Sequence, residues 1–389
     1  MGSQSLDRFV VERRVFFDPK TGREVWQLTD GPFECVTPYM DREAWTPDER
    51  YIVFMCNRTG AWQPYRMDVE TGEARQLAEI ESGEHSFYAI AMDAPRGECY
   101  VGSGSRFVAI HVETLEARVA ADFSSIDLPH PDDKRWGRQP VLNRAGTLVL
   151  AVCRAADGRP QLVVMPTDGR TEYQIFPLSG IFRRPCHEQF CPADDNLISF
   201  CNLPDHQDDP RGHPDLRVRE WRLDRDTAAT RPLVLTPPGF RATHCIWGAS
   251  GERFYFHRKT CPWWMWVPTA LCSVNRDGGD LRVYYETSEH KLGHSCPTAD
   301  ERWIVTDSQD PDENILALVS AETGSFQILC WPNMSQNSKR PDKRPPNLPP
   351  HTHRHTHPAF SPSGRFVHYV SDVTGCSHVY VVPVGDLIG

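Results

Sequence analysis

Long apolar runs and a surplus of positive charge are what this sequence of 389 residues does without. No stretch stays apolar for the roughly 20 residues that a bilayer span requires. Met1 to Arg14 is polar and charged, without the apolar core of a signal peptide. The formal charge is −10, so the basic surface that a phosphate backbone demands is missing and nucleic acid is excluded as a partner. Gly-x-Ser-x-Gly, the P-loop pattern and the dinucleotide fingerprint are also absent, which removes common routes to a serine nucleophile, a nucleotide or a nicotinamide. The 13 cysteines form no metal-type pairs, and Cys56, Cys153 and Cys201 fall where small hydrophobes pack inside strands. Together these features predict a cytoplasmic protein with no membrane partner.

What is present is a phrase that returns roughly every 50 residues, the spacing of propeller blades. An aromatic or apolar residue is followed by a turn of the Pro-Asp-Gly kind and an alternating strand. Trp45-Thr46-Pro47-Asp48 leads into Tyr51 to Met55, and Phe190-Cys191-Pro192-Ala193-Asp194 into Leu197 to Phe200. Trp247 to Gly251 leads into Phe254 to Phe256, and Phe360 to Gly364 into Phe366 to Val370. Further copies begin at Asn143 and Thr298, with a weaker one at Ala94. A second strand follows each, commonly with a hairpin such as Asp68-Val69-Glu70-Thr71-Gly72. Turn residues between short alternating strands specify antiparallel hairpins, and no long helical period competes with them. The last copy ends after His378 to Val382 without an outer strand, whereas Asp18 to Leu28 stands at the N-terminus as the piece it lacks. The expectation is an all-β, seven-bladed β-propeller, a single domain over residues 1–389, closed by an N-terminal strand that completes the last blade.

Counting back three positions from the landmark of the phrase gives Arg42, Gln139, His187, His244 and His357, with His294 almost at the same place in its own unit. The first strand of each propeller blade borders the channel, so these residues are expected at one mouth. Any one of them could be a core histidine satisfied by backbone, but a set at one address marks a site. The chain also carries His351, His353, His355 and His357 at alternate positions, after the Pro-rich stretch Trp331 to Pro350. Alternate residues of a strand share a face, so these imidazoles can converge, although a His-rich tract can equally be a solvated linker. Imidazole suits Mn²⁺, Zn²⁺, Fe²⁺ and Ni²⁺. The candidate metal ligands are therefore His355 and His357 from one strand, His294 from the neighbouring blade and His353 as a fourth. His244, one blade further on, would face the ion without binding it. Arg42, Arg138 and His187 are candidates for holding substrate. With Arg183, Arg184 and Arg241 they offer a local positive field to an acidic ligand of an acidic protein.

On these residues the chain resembles the oligogalacturonate lyases, seven-bladed propellers of nearly this length that cleave short, often unsaturated, galacturonate oligomers by β-elimination. The similarity runs through Thr21 to Thr29, the Asp68 to Leu77 hairpin, Thr243-His244, and His355-Thr356-His357-Pro358-Ala359-Phe360 with Ser371-Asp372. The resemblance implies His244 as the Brønsted base, and His294, His355 and His357 as ligands of a divalent metal, Mn²⁺. It places Arg219 beside the substrate carboxylate, with Arg217 as the neighbouring alternative. The family's fourth ligand is a glutamine three residues before the first histidine of the final pair. Thr352 stands there, which leaves the place to His353 or His351, or implies a different metal, affinity or substrate. The implied partner is an acidic oligosaccharide, and the implied assembly a monomer or homodimer. Two other functions stay open: the same elimination on another uronate glycan, of rhamnosyl-glucuronate or ulvan type, and a non-catalytic propeller scaffold whose axial histidines are incidental.

Such an elimination needs these groups. Removing the C5 proton of a uronate builds negative charge beside a carboxylate already charged, so a cation bound to that carboxylate stabilises what forms. A neutral histidine suits the proton transfer, since its ordinary pKa lies near 6.5 and nearby cations keep it deprotonated.

Overall fold

The computed structural model describes residues 6–83, 86–126, 139–178, 180–182, 184–203, 218–260, 267–310, 313–335 and 355–389. Among them the chain folds into seven small antiparallel sheets arranged in a ring, and the seven-bladed propeller is the architecture found. Each sheet is a blade, and the blades follow one another in chain order. Their inner strands are Cys35–Val36, Ile90–Asp93, Val141–Leu142, Arg184–Cys191, Phe240–Trp247, Leu292–Pro297 and Ala359–Phe360. Each blade packs on the next, and the last packs on the first.

The repeated phrase builds the same local structure each time because its side chains close their own turns. In the hairpin of blade 1, Asp68 Oδ1 accepts from the amides of Glu70 (3.1 Å) and Thr71 (3.0 Å), and Gly72 supplies the left-handed φ of 72° that ends the turn. The N-terminal copy does the same, with Asp18 Oδ1 accepting from Lys20 and Thr21 at 2.9 Å each. Thr46 and Thr298 donate their hydroxyls to Asp48 and Asp300 at 2.6 Å, pinning the turn before the second strand. The aromatic landmark then drops between blades. Trp45 is fully buried and donates Nε1–H to His368 Nδ1 at 2.9 Å, so its polar edge is satisfied inside an apolar layer with Leu28, Phe54 and Val379.

Closure goes further than the sequence pattern shows. Glu24–Gln27 joins the outer side of His378–Pro383 in blade 7, with Trp26 opposite Val381 and Gln27 opposite Tyr380. Outside it lies a fifth strand, Arg14–Phe17, and before that Arg8–Val10 adds a fifth strand to blade 1 by pairing with Glu73–Gln76. One N-terminal segment therefore clasps both sides of the seam. Arg14–Phe17 is exposed along its whole length, so its sequence carries no buried alternation that would reveal it. No helix among the described residues is long and apolar enough to cross a membrane.

Candidate metal centre

Three inner strands break their pairing at the same depth, and each break carries a histidine. In blade 4 the register skips between Cys186 and Gln189, in blade 5 between Thr243 and Ile246, and in blade 6 between Leu292 and Ser295. A bulge bends the strand and re-aims the unpaired side chain. His187 and His244 sit in these breaks with φ of 52° and 53°, and His357, just before the inner strand of blade 7, has φ 43°. A non-glycine residue in this left-handed region costs about 1–3 kcal/mol and persists where the surroundings impose it. At His187, His244 and His357 the shared address counted in the sequence is thus a shared strained backbone conformation, which Arg42, Gln139 and His294 do not adopt.

The histidines so aimed meet. His294 Nε2 and His357 Nε2 are 3.0 Å apart, and one ligand atom from each of His294, His355 and His357 lies within 4.8 Å of the others. Two nitrogens bound at right angles, ~2.1 Å from one ion, would stand ~3.0 Å apart, so this spacing fits adjacent ligands of a divalent metal. The opposite side of each ring supports that role. His294 Nδ1 meets Asp307 Oδ2 at 3.0 Å, His357 Nδ1 meets the Tyr88 hydroxyl at 2.6 Å, and His355 Nδ1 meets Gln309 Nε2 at 3.2 Å. The Asp307 carboxylate and the Tyr88 hydroxyl can accept from Nδ1–H, which fixes the rings of His294 and His357 and leaves Nε2 to the ion, while the Gln309 amide nitrogen holds the His355 ring by donating to Nδ1. Asp307 is fully buried and also accepts from the His294 amide at 2.6 Å and from the Thr356 hydroxyl. Burial acts to raise its carboxyl, but these contacts outweigh it and hold Asp307 below the usual carboxylate range.

Gly293 lets this happen. A β-carbon there would lie 2.3 Å from Asp307 Oδ1 and 2.7 Å from Gln309 Cγ, the very groups that support His294 and His355. Its carbonyl oxygen takes the fourth histidine: His244 Nδ1 is 3.0 Å away. A carbonyl only accepts, so Nδ1 carries the proton and Nε2 the lone pair. Burial pushes the His244 pKa well below 6.5, and His294, Lys259 and Arg219 push the same way, so the ring is neutral. It lies 4.1 Å from the His294 ring, centre to centre, beside the cluster and outside the three-ligand set.

The remaining expected residues surround this group. His187 lies 5.2 Å from the ring of Tyr39, and burial with Arg219 and Arg42 nearby lowers its pKa to about 3. Arg219 is buried, donates to Ala242 O at 3.1 Å and stands 3.6 Å from Glu220. Arg42 is buried too, donating Nε–H to Pro140 O at 3.0 Å and pairing with Asp41. Arg138, Arg183, Arg217, His351, Thr352 and His353 lie outside the described residues.

The sequence reading did not pick out Tyr39, Tyr88, Asp307, Gln309 or Lys259. Tyr39 is central: its ring is 4.6 Å from that of His357, 5.8 Å from His294 and 5.7 Å from Tyr88. Only an acidic residue closing an apolar strand, in Trp303-Ile304-Val305-Thr306-Asp307, offered a signal for Asp307. The others come from outside the repeated address.

Fold and site together define a seven-bladed propeller with a histidine cluster, fit for a divalent metal, where its inner strands meet. The proteins of this kind that the chain resembles are the oligogalacturonate lyases. It is 22% identical over 416 residues to the oligogalacturonate lyase of Dickeya dadantii, covering 96% of each chain. It is 21% identical over 412 residues to the oligogalacturonide lyase of Pectobacterium atrosepticum, again covering 96% of each. A solved oligogalacturonate lyase in complex with manganese superposes with a TM-score of 0.78 at 17% identity, covering 97% of this chain and 98% of that one. No family model matches the chain.

Proposed function

We propose that this protein is a metal-dependent lyase that cleaves short uronate oligosaccharides, oligogalacturonate first among them, by β-elimination. Residues 1–389 are read as one propeller domain carrying one such site. The observation that carries the proposal is the division of labour among four neighbouring histidines. Three converge within 4.8 Å with Nδ1 committed to a partner, and the fourth, His244, is neutral and keeps its Nε2 lone pair.

His294, His355 and His357 would hold the divalent ion, Mn²⁺ by analogy with the manganese-bound relative, and that ion would supply Lewis-acid relief of charge at the substrate carboxylate. Arg219 stays charged despite burial, as a guanidinium does in proteins, with Glu220 3.6 Å away, and is suited to pair with the same carboxylate. His244 Nε2 takes the C5 proton, while the Gly293 carbonyl steadies the imidazolium through Nδ1–H. The C5–H electrons become the C4–C5 double bond, and the C4–O bond breaks with its pair on the leaving oxygen, which then gains a proton. Arg42 and His187 would meet the rest of an acidic chain.

The test is the ultraviolet absorbance of the conjugated 4,5-unsaturated uronate. It is followed with digalacturonate, an unsaturated digalacturonate and competing oligouronates, after chelation and after Mn²⁺ is restored. Signal that disappears on chelation and returns with Mn²⁺ supports the proposal. Absence of signal from every oligouronate with Mn²⁺ bound sinks it.

A further inference from the structure

Two cysteines face each other inside blade 1. Cys35, on the inner strand, stands directly opposite Cys56, which ends the second strand Tyr51–Cys56, and their sulfurs are 3.3 Å apart. The ladder explains this closeness. The Cys35 amide turns away from its partner and donates to Ser377 O, just before the His378–Pro383 strand of blade 7, while the flanking Asn57 amide donates to Glu34 O at 3.1 Å. Cys35 and Cys56 are therefore a non-hydrogen-bonded pair, the position in an antiparallel sheet where α-carbons stand ~4.5 Å apart and side chains lie closest. That spacing falls within the ~4.4–6.8 Å that a disulfide spans, and the sulfurs need approach by only ~1.2 Å to bond. Cys186 and Cys201 of blade 4 are also directly opposite each other. There the Asn202 amide donates to Arg219 O on the far side, so the Cys201 backbone turns toward Cys186 and the pair occupies the wider, hydrogen-bonded position.

We propose that Cys35 and Cys56 form a modification site, a dithiol that becomes a disulfide when the chain folds in the presence of a small disulfide such as oxidised glutathione. One protein thiolate attacks the glutathione disulfide and displaces one glutathione thiol. The second protein sulfur then attacks the protein sulfur of the mixed disulfide and displaces the other. One S–S bond forms and one breaks, two electrons pass from the protein to the oxidant, and the two thiol protons end on two reduced glutathiones. Burial sets the timing. Both sulfurs lack exposed surface and lie in the apolar layer of Leu28, Trp45, Phe54 and Val379. Burial, with Cys56 alongside, also pushes the Cys35 thiol up, so the folded dithiol is a poor nucleophile out of reach of an oxidant. Exchange therefore precedes closure of the blade, and a bond shut inside is equally out of reach of a reductant. The loop it closes carries Tyr39, whose ring lies 4.6 Å from that of His357, and Arg42, which donates to Pro140 O at 3.0 Å. The staple would thus fasten the segment that brings Tyr39 to the histidines, at the seam where the Cys35 amide meets blade 7. It is independent of the lyase reading.

The full-length protein is unfolded in urea and refolded either with oxidised and reduced glutathione or with excess dithiothreitol. Remaining thiols are alkylated, and the peptides are mapped by mass spectrometry without reduction. A linked Cys35–Cys56 peptide is expected in the glutathione sample alone. Its unfolding midpoint should be higher by about 3–6 °C, the shift expected from closing a loop of this length in a protein of this size. Cys56→Ala refolded in the same way should lose both the linked peptide and the shift, and Cys35→Ala replaces it if that variant does not fold. Wild type that regains its native circular dichroism with Cys35 and Cys56 alkylated, or linked to other cysteines, overturns the proposal. So does a linked peptide whose midpoint is no higher than that of the dithiothreitol sample. If the chain does not refold from urea, native protein warmed into its unfolding transition with oxidised glutathione is mapped instead, and the presence or absence of the Cys35–Cys56 peptide decides.

Discussion

Gly293→Ala adds one methyl group at the point where the metal ligands and the base share support. The new carbon would lie 2.3 Å from Asp307 Oδ1 and 2.7 Å from Gln309 Cγ. Ordinary contact begins near ~3.5 Å, so the Asp307 side chain must retreat by ~1 Å. It cannot do so and keep its bonds to the His294 amide at 2.6 Å and to His294 Nδ1 at 3.0 Å. Losing a hydrogen bond to a charged group costs about 1.5–3 kcal/mol, and disturbing the partner of a metal ligand typically weakens metal affinity about 10–100-fold. Overpacking itself costs about 1–3 kcal/mol of stability. Calorimetric titration with Mn²⁺ and thermal unfolding of the metal-free protein are expected to register both losses. Turnover at saturating Mn²⁺ should also fall, because the Gly293 carbonyl orients His244. An Mn²⁺ affinity within twofold of wild type, with an unchanged unfolding midpoint, would refute the reasoning.

His244→Ala should abolish turnover while binding Mn²⁺ like wild type, measured by metal content after dialysis; loss of the ion would show His244 to be a ligand. Asp307→Asn keeps the shape but loses an acceptor of charge, so its Mn²⁺ affinity should drop about 10–100-fold, with much of the turnover regained at high Mn²⁺, a recovery that separates metal loss from damage to the base. Stability should also depend on acid through histidines remote from the metal. His368 and His378 have their pKa values depressed by burial to about 3 and about 4, so the native state refuses protons that the unfolded chain accepts below its ordinary pKa near 6.5. Their contribution is present above that value and lost as pH falls toward the native ones. Glu43 runs the other way, since burial raises it to about 7 and its contribution fades as pH rises through that value. In urea titrations, His368→Gln should flatten the slope of unfolding free energy between about pH 4 and pH 6 by up to ~1.4 kcal/mol per pH unit, and an unaltered slope would rule this out.

The repeat made the architecture legible. Turn chemistry is local, so Asp68 to Gly72 and Asp18 to Gly22 build the same hairpin wherever they stand, and alternation in the second strands fixes which face is buried. The incomplete last unit and the spare N-terminal strand even announced the closure, whereas Arg14–Phe17 is exposed throughout and Arg8–Val10 turns only Phe9 toward the core, too short a pattern to read.

The sequence by itself also determined that His187, His244 and His357 share one address, because a repeat converts equal spacing into equal position around an axis. What only the tertiary structure decided is what surrounds them. Asp307, Gln309, Lys259, Tyr39 and Tyr88 lie at no common offset from the repeated phrase: Asp307 reaches His294 from the next strand of the same blade, Gln309, Tyr39 and Tyr88 reach histidines of a different blade, and Lys259 bonds to Gln309. Spacing along one chain predicts which residues stand in the first strand of a blade. It cannot predict which group accepts the proton of Nδ1, and that hydrogen bond decides whether an imidazole is a ligand, a base or part of the core.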